Sequence, residues 1–335
     1  MDIASEAAAT WFALCVIGIV QGLTEFLPIS SSAHLVFSQH FLGVRVPGLS
    51  IEVFAHLGTL CAVLLVFRHD VFGLLKGFCR LIGIRPKAKK GSTGKGATAW
   101  VASESYARLF VLIVIGSIPA GFFGFVFSDL VTAVFESIVW PAIFLIINGL
   151  ILLSAQWALG KRRVSDPGSP RKGIWQIGVT DALIVGIAQA VAVFPGISRS
   201  GATVAAGIWR GIDRRAAASF SFLLSIPAVL GAALFDTLHL MSRSLPEATG
   251  QAVSVLRLTG LAGAAGEGLT AGLAIGGMPM EMLGLVALAS FVTGALSIIF
   301  FFRSLDRGGL RGFAVYCLIL GSLVLGLSKG LGLRL

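Results

Sequence analysis

The 335-residue chain is 56% hydrophobic and only 13% charged, with a mean hydropathy of +0.91. That is too apolar and too sparsely charged for an average soluble domain, and it predicts an all-α polytopic membrane protein. The net charge of +10 does not imply nucleic acid: the basic run RPKAKKGSTGKG, Arg85 to Gly96, has no interleaved aromatics and reads as a topology signal touching lipid headgroups.

In chain order, the first apolar segment, about 8 to 43, is interrupted. Residues 21–35 read QGLTEFLPISSSAHL, which sets Gln21, Glu25, Pro28, Ser30, Ser31, Ser32 and His34 in membrane-grade surroundings. An ionisable group at bilayer depth costs about 3 kcal/mol on insertion scales, so Glu25 marks a site. Pro28 and the serine run break the helix, and broken backbone at that depth must line protein or a wet cavity. Uninterrupted stretches long enough to cross follow at about 51–68, 106–127 and 137–159. A second interrupted segment, about 175 to 210, contains QAVAVFPGISRSGAT at 189–203, and crossings are expected at about 216–238, 281–302 and 312–331. Asp2 and Glu6, with no basic n-region, argue against a cleavable signal peptide. Cys15, Cys61, Cys79 and Cys317 lack CxxC spacing and are read as packing residues.

The two interruptions are copies. An offset of 168 (189 minus 21) pairs Gln21 with Gln189, Phe26 with Phe194, Ile29 with Ile197, Ser30 with Ser198 and Ser32 with Ser200. Their chemistry is divided: Glu25 and His34 face Val193 and Ala202, whereas Arg199 replaces Ser31. The expected architecture is a single membrane domain, 1–335, with a first repeat at 1–160 and a second at 161–335, each carrying one re-entrant helical pair. The basic loop 83–104 belongs to the first, and a polar then Gly/Ala-rich insert, about 242–280, belongs to the second.

Charge sets the orientation. Twenty of 26 bases, within 68–108, 161–172, 210–215 and 303–311, fall on one side, which the positive-inside rule makes cytoplasmic. Arg45, Arg243, Arg257, Lys329 and Arg334 lie opposite and Arg199 lies within. Six crossings then put both termini and the insert outside, with an inverted repeat whose breaks meet near the midplane.

Ser30–Ser32 and Ser198–Ser200 are N-cap positions for helices running towards Phe41 and Trp209, so both copies aim unpaired N–H groups at the same region. Such ends bind phosphate oxygens, and Arg199 adds a forked, permanently charged donor; its bland reading is a structural partner of Glu25. Gly196 and Gly201 are expected to let the backbone approach a ligand. His34, three residues after Ser31, shares its helical face and supplies a nucleophile or proton carrier. Gln21 and Glu25, four apart, offer oxygen ligands to Mg²⁺ or Ca²⁺, completed by substrate phosphate. Glu52 and His56, also four apart, are expected to support the pocket or to form a polar pair near the membrane surface.

On QGLTEFLPISSSAHL (21–35), EVFAHLGTLCAV (52–63), PGISRSGATV (195–204) and SFSFLLSIP (219–227), the chain resembles the undecaprenyl-diphosphate phosphatase family, bacterial membrane enzymes also called bacitracin-resistance proteins. The resemblance implies loss of the terminal phosphate from undecaprenyl diphosphate in the bacterial inner membrane, recycling the carrier of peptidoglycan precursors, with a divalent cation required. It assigns metal or polar catalysis to Gln21 and Glu25, attack or proton transfer to Ser31 and His34, and diphosphate binding to Ser198, Arg199, Ser200 and Thr203. Where some members have Glu, this chain has Gln21, leaving Glu25 as the one carboxylate there. The preferred scheme has Ser31 attack with His34 as its proton acceptor; His34 itself or an activated water is the alternative. Expected partners are a polyprenyl diphosphate lipid and membrane lipids, with a homodimer as one oligomeric option and no nucleic acid. The competing function is a lipid-phosphate flippase or secondary transporter using the same anion site.

Overall fold

The computed structural model describes residues 3–42, 49–84, 95–135, 137–165, 171–234, 274–275 and 278–330. In chain order the helices are α1 (Ile3–Glu25), α2 (Ser31–Leu42), α3 (Leu49–Val66), α4 (Arg68–Leu81), α5 (Lys95–Val126), α6 (Ser128–Phe135) and α7 (Val139–Ser165). A 3₁₀ turn, Ile174–Gln176, precedes α8 (Val179–Val191) and α9 (Arg199–Trp209). Then come α10 (Arg214–Leu234), α11 (Met280–Arg307) and α12 (Arg311–Gly330). The strands among the described residues are a two-residue antiparallel pair, Ala274–Ile275 with Met278–Pro279.

The protein is an all-α polytopic membrane protein. Five described helices, within α5, α7, α10, α11 and α12, are long and apolar enough to cross a membrane, and α3 with α4 makes a sixth only as a pair bent by 87°. Burial is inverted relative to a soluble protein: Phe122, Phe125 and Trp157 are exposed, while Gln21, Asn148 and Ser200 are fully buried. Lipid solvates the first group, and helix-to-helix contact must satisfy the second.

Both interrupted segments break where expected, after Glu25 and after Val191. Elsewhere the structure corrects the sequence reading. The crossing expected at 51–68 ends at Val66 and turns into α4, a helix not anticipated. The basic loop expected at 83–104 is already helical from Lys95, where Ala97, Ala99 and Ala102 favour the helix without needing an apolar face. The short α6 was likewise not anticipated. The insert reading at 242–280 lies outside the described residues, except for the strand pair and Met280.

Helix α11 packs on α1 and α3, α12 packs on α7, and α5 packs on α8 and α4. Polar side chains stitch these contacts: Ser290 and Ser297 of α11 donate to the Gly18 and Leu23 carbonyls of α1, each at 2.8 Å. Each break is anchored by the phenylalanine that the two copies share. Phe26 stands edge-on to Phe222 of α10 (ring centroids 5.5 Å apart), and Phe194 meets Phe123 of α5 and Phe144 of α7 at 5.8 and 5.4 Å. On the basic side, buried Asp181 binds Lys172 at 2.9 Å and Arg210 at 2.8 Å, clamping the start of α8 to the end of α9.

Candidate active site where two broken helices meet

Breaking two helices inside the protein frees carbonyl and N–H groups that water cannot reach, and the breaks satisfy one another. The Gly196 N–H donates to Ser30 Oγ at 3.1 Å. Ser200 Oγ and Ser198 Oγ donate to the Leu27 carbonyl at 3.0 and 3.4 Å. Asn148, fully buried on α7, donates from Nδ2 to the Pro28 carbonyl at 2.9 Å and accepts from the Ser198 N–H at Oδ1 (3.1 Å). One amide thus joins both copies. Ser30 has φ 68°, the left-handed region that costs a non-glycine residue strain, and its hydroxyl, bonded to Gly196 N and Ser32 Oγ, holds it there.

The seam contains a charged centre. Glu25 Oε1 accepts from Arg199 Nη2 at 2.7 Å. Its Oε2 accepts from Ser31 Oγ at 2.7 Å and Gln21 Nε2 at 2.9 Å, and His56 Nε2 stands 3.9 Å away. The Glu25 and Arg199 side chains are 5% and 16% exposed, so little solvent screens the pair. Two buried atoms beside this cluster have no partner: Arg199 Nη1 and Gln21 Oε1. Buried polar groups are nearly always paired, so these two have hydrogen-bonding capacity left over. Ser31, Ser32, His34 and Arg199 are only partly buried, which puts an approach on their side.

His34 and the Ser31 hydroxyl are hydrogen-bonded to different partners. The Ser31 hydroxyl donates to Glu25, whereas His34 Nδ1 donates to the Ser30 carbonyl at 2.7 Å and Nε2 faces the Tyr316 hydroxyl at 2.8 Å. A carbonyl only accepts, so Nδ1 carries a proton, and in the neutral ring Nε2 then accepts from the Tyr316 hydroxyl. Parallel rings 5.7 Å apart reinforce the orientation. Sharing a helical face with Ser31 was not enough, because the i−4 carbonyl captured the ring first. His56 uses the same device, Nδ1 to the Glu52 carbonyl at 2.7 Å, so it is the backbone of Glu52 that turns His56 Nε2 towards Glu25.

The expected binding hydroxyls of the second copy are engaged internally. Ser198 caps α9 by accepting from the Gly201 N–H at 3.1 Å. Thr203 Oγ1 donates to the Arg199 carbonyl and meets Ser221 Oγ of α10 at 2.6 Å. Gly196 and Gly201 let neighbouring protein pack close. A Cβ on Gly196 (φ 109°) would lie 2.6 Å from Phe144 Cβ, and one on Gly201 would lie 3.0 Å from Asn148 Oδ1 and 3.3 Å from Pro28 Cβ. Sequence reasoning missed Asn148, Tyr316 and Ser221; Asn148 was the detectable one, a lone amide in the apolar run LIINGLILL. For a cation, Gln21 Oε1 and Glu25 offer oxygen donors of the kind Mg²⁺ and Ca²⁺ take, but no group of three His, Cys, Asp or Glu assembles among the described residues. They fit a cation carried largely by phosphate oxygens.

Residues 14–323 match the family model described as bacitracin resistance protein BacA. This chain belongs to that family. It is 37% identical to the undecaprenyl-diphosphatase of Desulforapulum autotrophicum over 306 residues, covering 91% of this chain and 94% of the relative. It is also 37% identical to the protein of that name from Thermomicrobium roseum, over 92% of this chain and 95% of the relative, and 34% identical to that of Desulfatibacillum aliphaticivorans, over 94% and 98%. The BacA match spans both helix breaks and every residue of the charged centre.

Proposed function

We propose that this BacA-family chain hydrolyses undecaprenyl diphosphate to undecaprenyl phosphate and inorganic phosphate, regenerating the lipid carrier of peptidoglycan synthesis and so conferring bacitracin resistance. The observation that carries the reading is one hydroxyl, Ser31, held on a buried carboxylate, Glu25, whose other oxygen holds an arginine with a nitrogen left over. That is a nucleophile, its base and an anion receptor within one hydrogen-bonded unit. The names of the relatives point to the same substrate.

In this reading Arg199 Nη1 binds an oxygen of the terminal phosphate and neutralises charge as it develops. Ser31 Oγ attacks that phosphorus while its proton passes to Glu25 Oε2; the Oγ–P bond forms as the bond to the bridging oxygen breaks, and undecaprenyl phosphate leaves. Water then attacks the phosphoserine as His34 Nε2, exchanging its bond to the Tyr316 hydroxyl for one to that water, takes the proton of the water; the Oγ–P bond breaks, Glu25 returns its proton to Ser31, and His34 passes its proton to the departing inorganic phosphate. Ser31 is preferred to His34 as nucleophile because its hydroxyl already rests on a carboxylate base, whereas Nδ1 of His34 is bonded to a carbonyl and Nε2 is kept for the water of the second step. Gln21 Oε1 and Glu25 would hold a divalent cation together with diphosphate oxygens. When bound, such an ion offsets the negative charge of the diphosphate.

The reading also includes an inverted repeat in a bacterial inner membrane, with basic loops cytoplasmic and termini outside. The repeat rests on the offset of 168 and on the mutual hydrogen bonding of the breaks. Those features equally suit a lipid-phosphate transporter. Phosphate release from undecaprenyl diphosphate by purified protein in detergent separates the two, since hydrolysis needs no sealed compartment. Absence of release, with lipid movement retained in proteoliposomes, would replace the enzyme with the transporter.

A further inference from the structure

We propose that α4 is an interfacial helix that lies along the basic surface of the membrane and binds anionic phospholipid headgroups. The 87° turn between α3 and α4 takes the chain out of the direction of a crossing. The turn is set by packing: its pivot, Phe67, is buried, with its ring against Phe222 and Phe302 at 5.9 and 6.1 Å.

The level at which α4 then runs is marked by what it touches. Buried Gly73 and Gly77 bring its backbone onto Tyr106 and Ala107, where a Cβ on Gly77 would lie 2.6 Å from the Ala107 nitrogen. Asp70 accepts from the Tyr106 hydroxyl at 2.9 Å, and Arg80 reaches Glu104 at 3.5 Å. These partners are the first residues of the apolar span Glu104–Val126, its polar end. Tyr106 and half-exposed Trp175 stand edge-on there at 4.9 Å, as interfacial aromatics do.

Outside the contact with α5, Phe72, Leu75 and Ile82 form an exposed apolar stripe, with Phe72 61% exposed; Phe78 flanks it, its ring also meeting Phe110 of α5 at 5.1 Å, and exposed Arg68 stands at the head of the same face. His69 and Lys76, one side of that stripe and seven residues apart, are exposed and polar. The acid on the helix, Asp70, is taken up by Tyr106. From Val71 to Ser103 the sequence holds seven bases (Lys76, Arg80, Arg85, Lys87, Lys89, Lys90 and Lys95) and no acid. An apolar stripe bordered by cations is the chemistry of a helix seated between acyl chains and anionic headgroups.

The test uses full-length protein in bilayers, with Cys15, Cys61, Cys79 and Cys317 replaced by Ala and a spin label at Leu75→Cys or Lys76→Cys. Position 75 should be relaxed by oxygen and position 76 by an aqueous nickel chelate, although the two are adjacent. Two labels that both see only nickel, or both only oxygen, would overturn the interfacial placement. For the headgroup claim, Lys76→Gln should lower the preference for bound phosphatidylglycerol over phosphatidylcholine about fivefold, the equivalent of ~1 kcal/mol per surface base. An unchanged preference would refute it, and because Lys76 is exposed the variant keeps the packing on α5.

Discussion

Ser31 and Glu25 lie on opposite sides of a helix break, yet the Ser31 hydroxyl donates to Glu25 Oε2 at 2.7 Å, in hydrogen-bond reach of a base that its own helix does not contain. If that contact activates the nucleophile, Ser31→Ala should abolish phosphate release while substrate binding persists, and Glu25→Gln should lower turnover by about 10²–10⁴-fold. Rapid quenching should trap an acid-stable phosphoserine. Near-normal turnover in Ser31→Ala would leave His34 or water as the attacking group.

Arg199→Lys keeps the charge opposite Glu25 but removes the second nitrogen of the fork, so most activity should be lost while the protein stays folded. Arg199→Ala should lose nearly all activity and also unfold more readily, since a carboxylate stripped of its buried partner costs about 3–5 kcal/mol. Full turnover in the Ala variant would reduce the second copy to scaffold.

Tyr316→Phe preserves the ring stacked on His34 and removes only the hydrogen bond to Nε2. A lost hydrogen bond of about 1 kcal/mol predicts a roughly fivefold drop in kcat with KM little changed, and an altered pH profile because the proton acceptor of the second step is no longer held. An unchanged kcat and pH profile would remove Tyr316 from the mechanism.

Asn148→Leu should destabilise the protein more than any substitution on the exposed face of α7. It leaves the Ser198 N–H buried without a partner, at about 1–3 kcal/mol, and the Pro28 carbonyl with only the weak thiol donor of Cys317. Thermal unfolding in detergent measures it, and an unaltered midpoint would contradict the bridging role.

The charge asymmetry predicts that cysteines introduced near residues 92 and 168, in a chain freed of its native cysteines, react with impermeant reagents only from the cytoplasm. Labelling from outside intact cells would exclude the inverted-repeat topology.

Periodicity, composition and the repeated break were enough to read the membrane class, the two interrupted segments and the meeting of Glu25 with Arg199 across them. Helix breakers and polar groups in an apolar run are local signals, because lipid penalises them wherever the chain folds. The turn at Phe67 was not readable in this way: neither proline nor glycine marks it, and it exists because the ring is held by Phe222 and Phe302 from distant helices. Nor was the hydrogen-bond partner of the Ser31 hydroxyl, for which spacing nominated His34. Only the folded chain decides that competition. A carbonyl four residues back and a tyrosine 282 residues on take the imidazole, and an arginine from the other copy fixes the carboxylate that receives the serine hydroxyl. Hydrogen-bond partners are chosen by geometry among all groups within reach, and sequence spacing lists only the near ones.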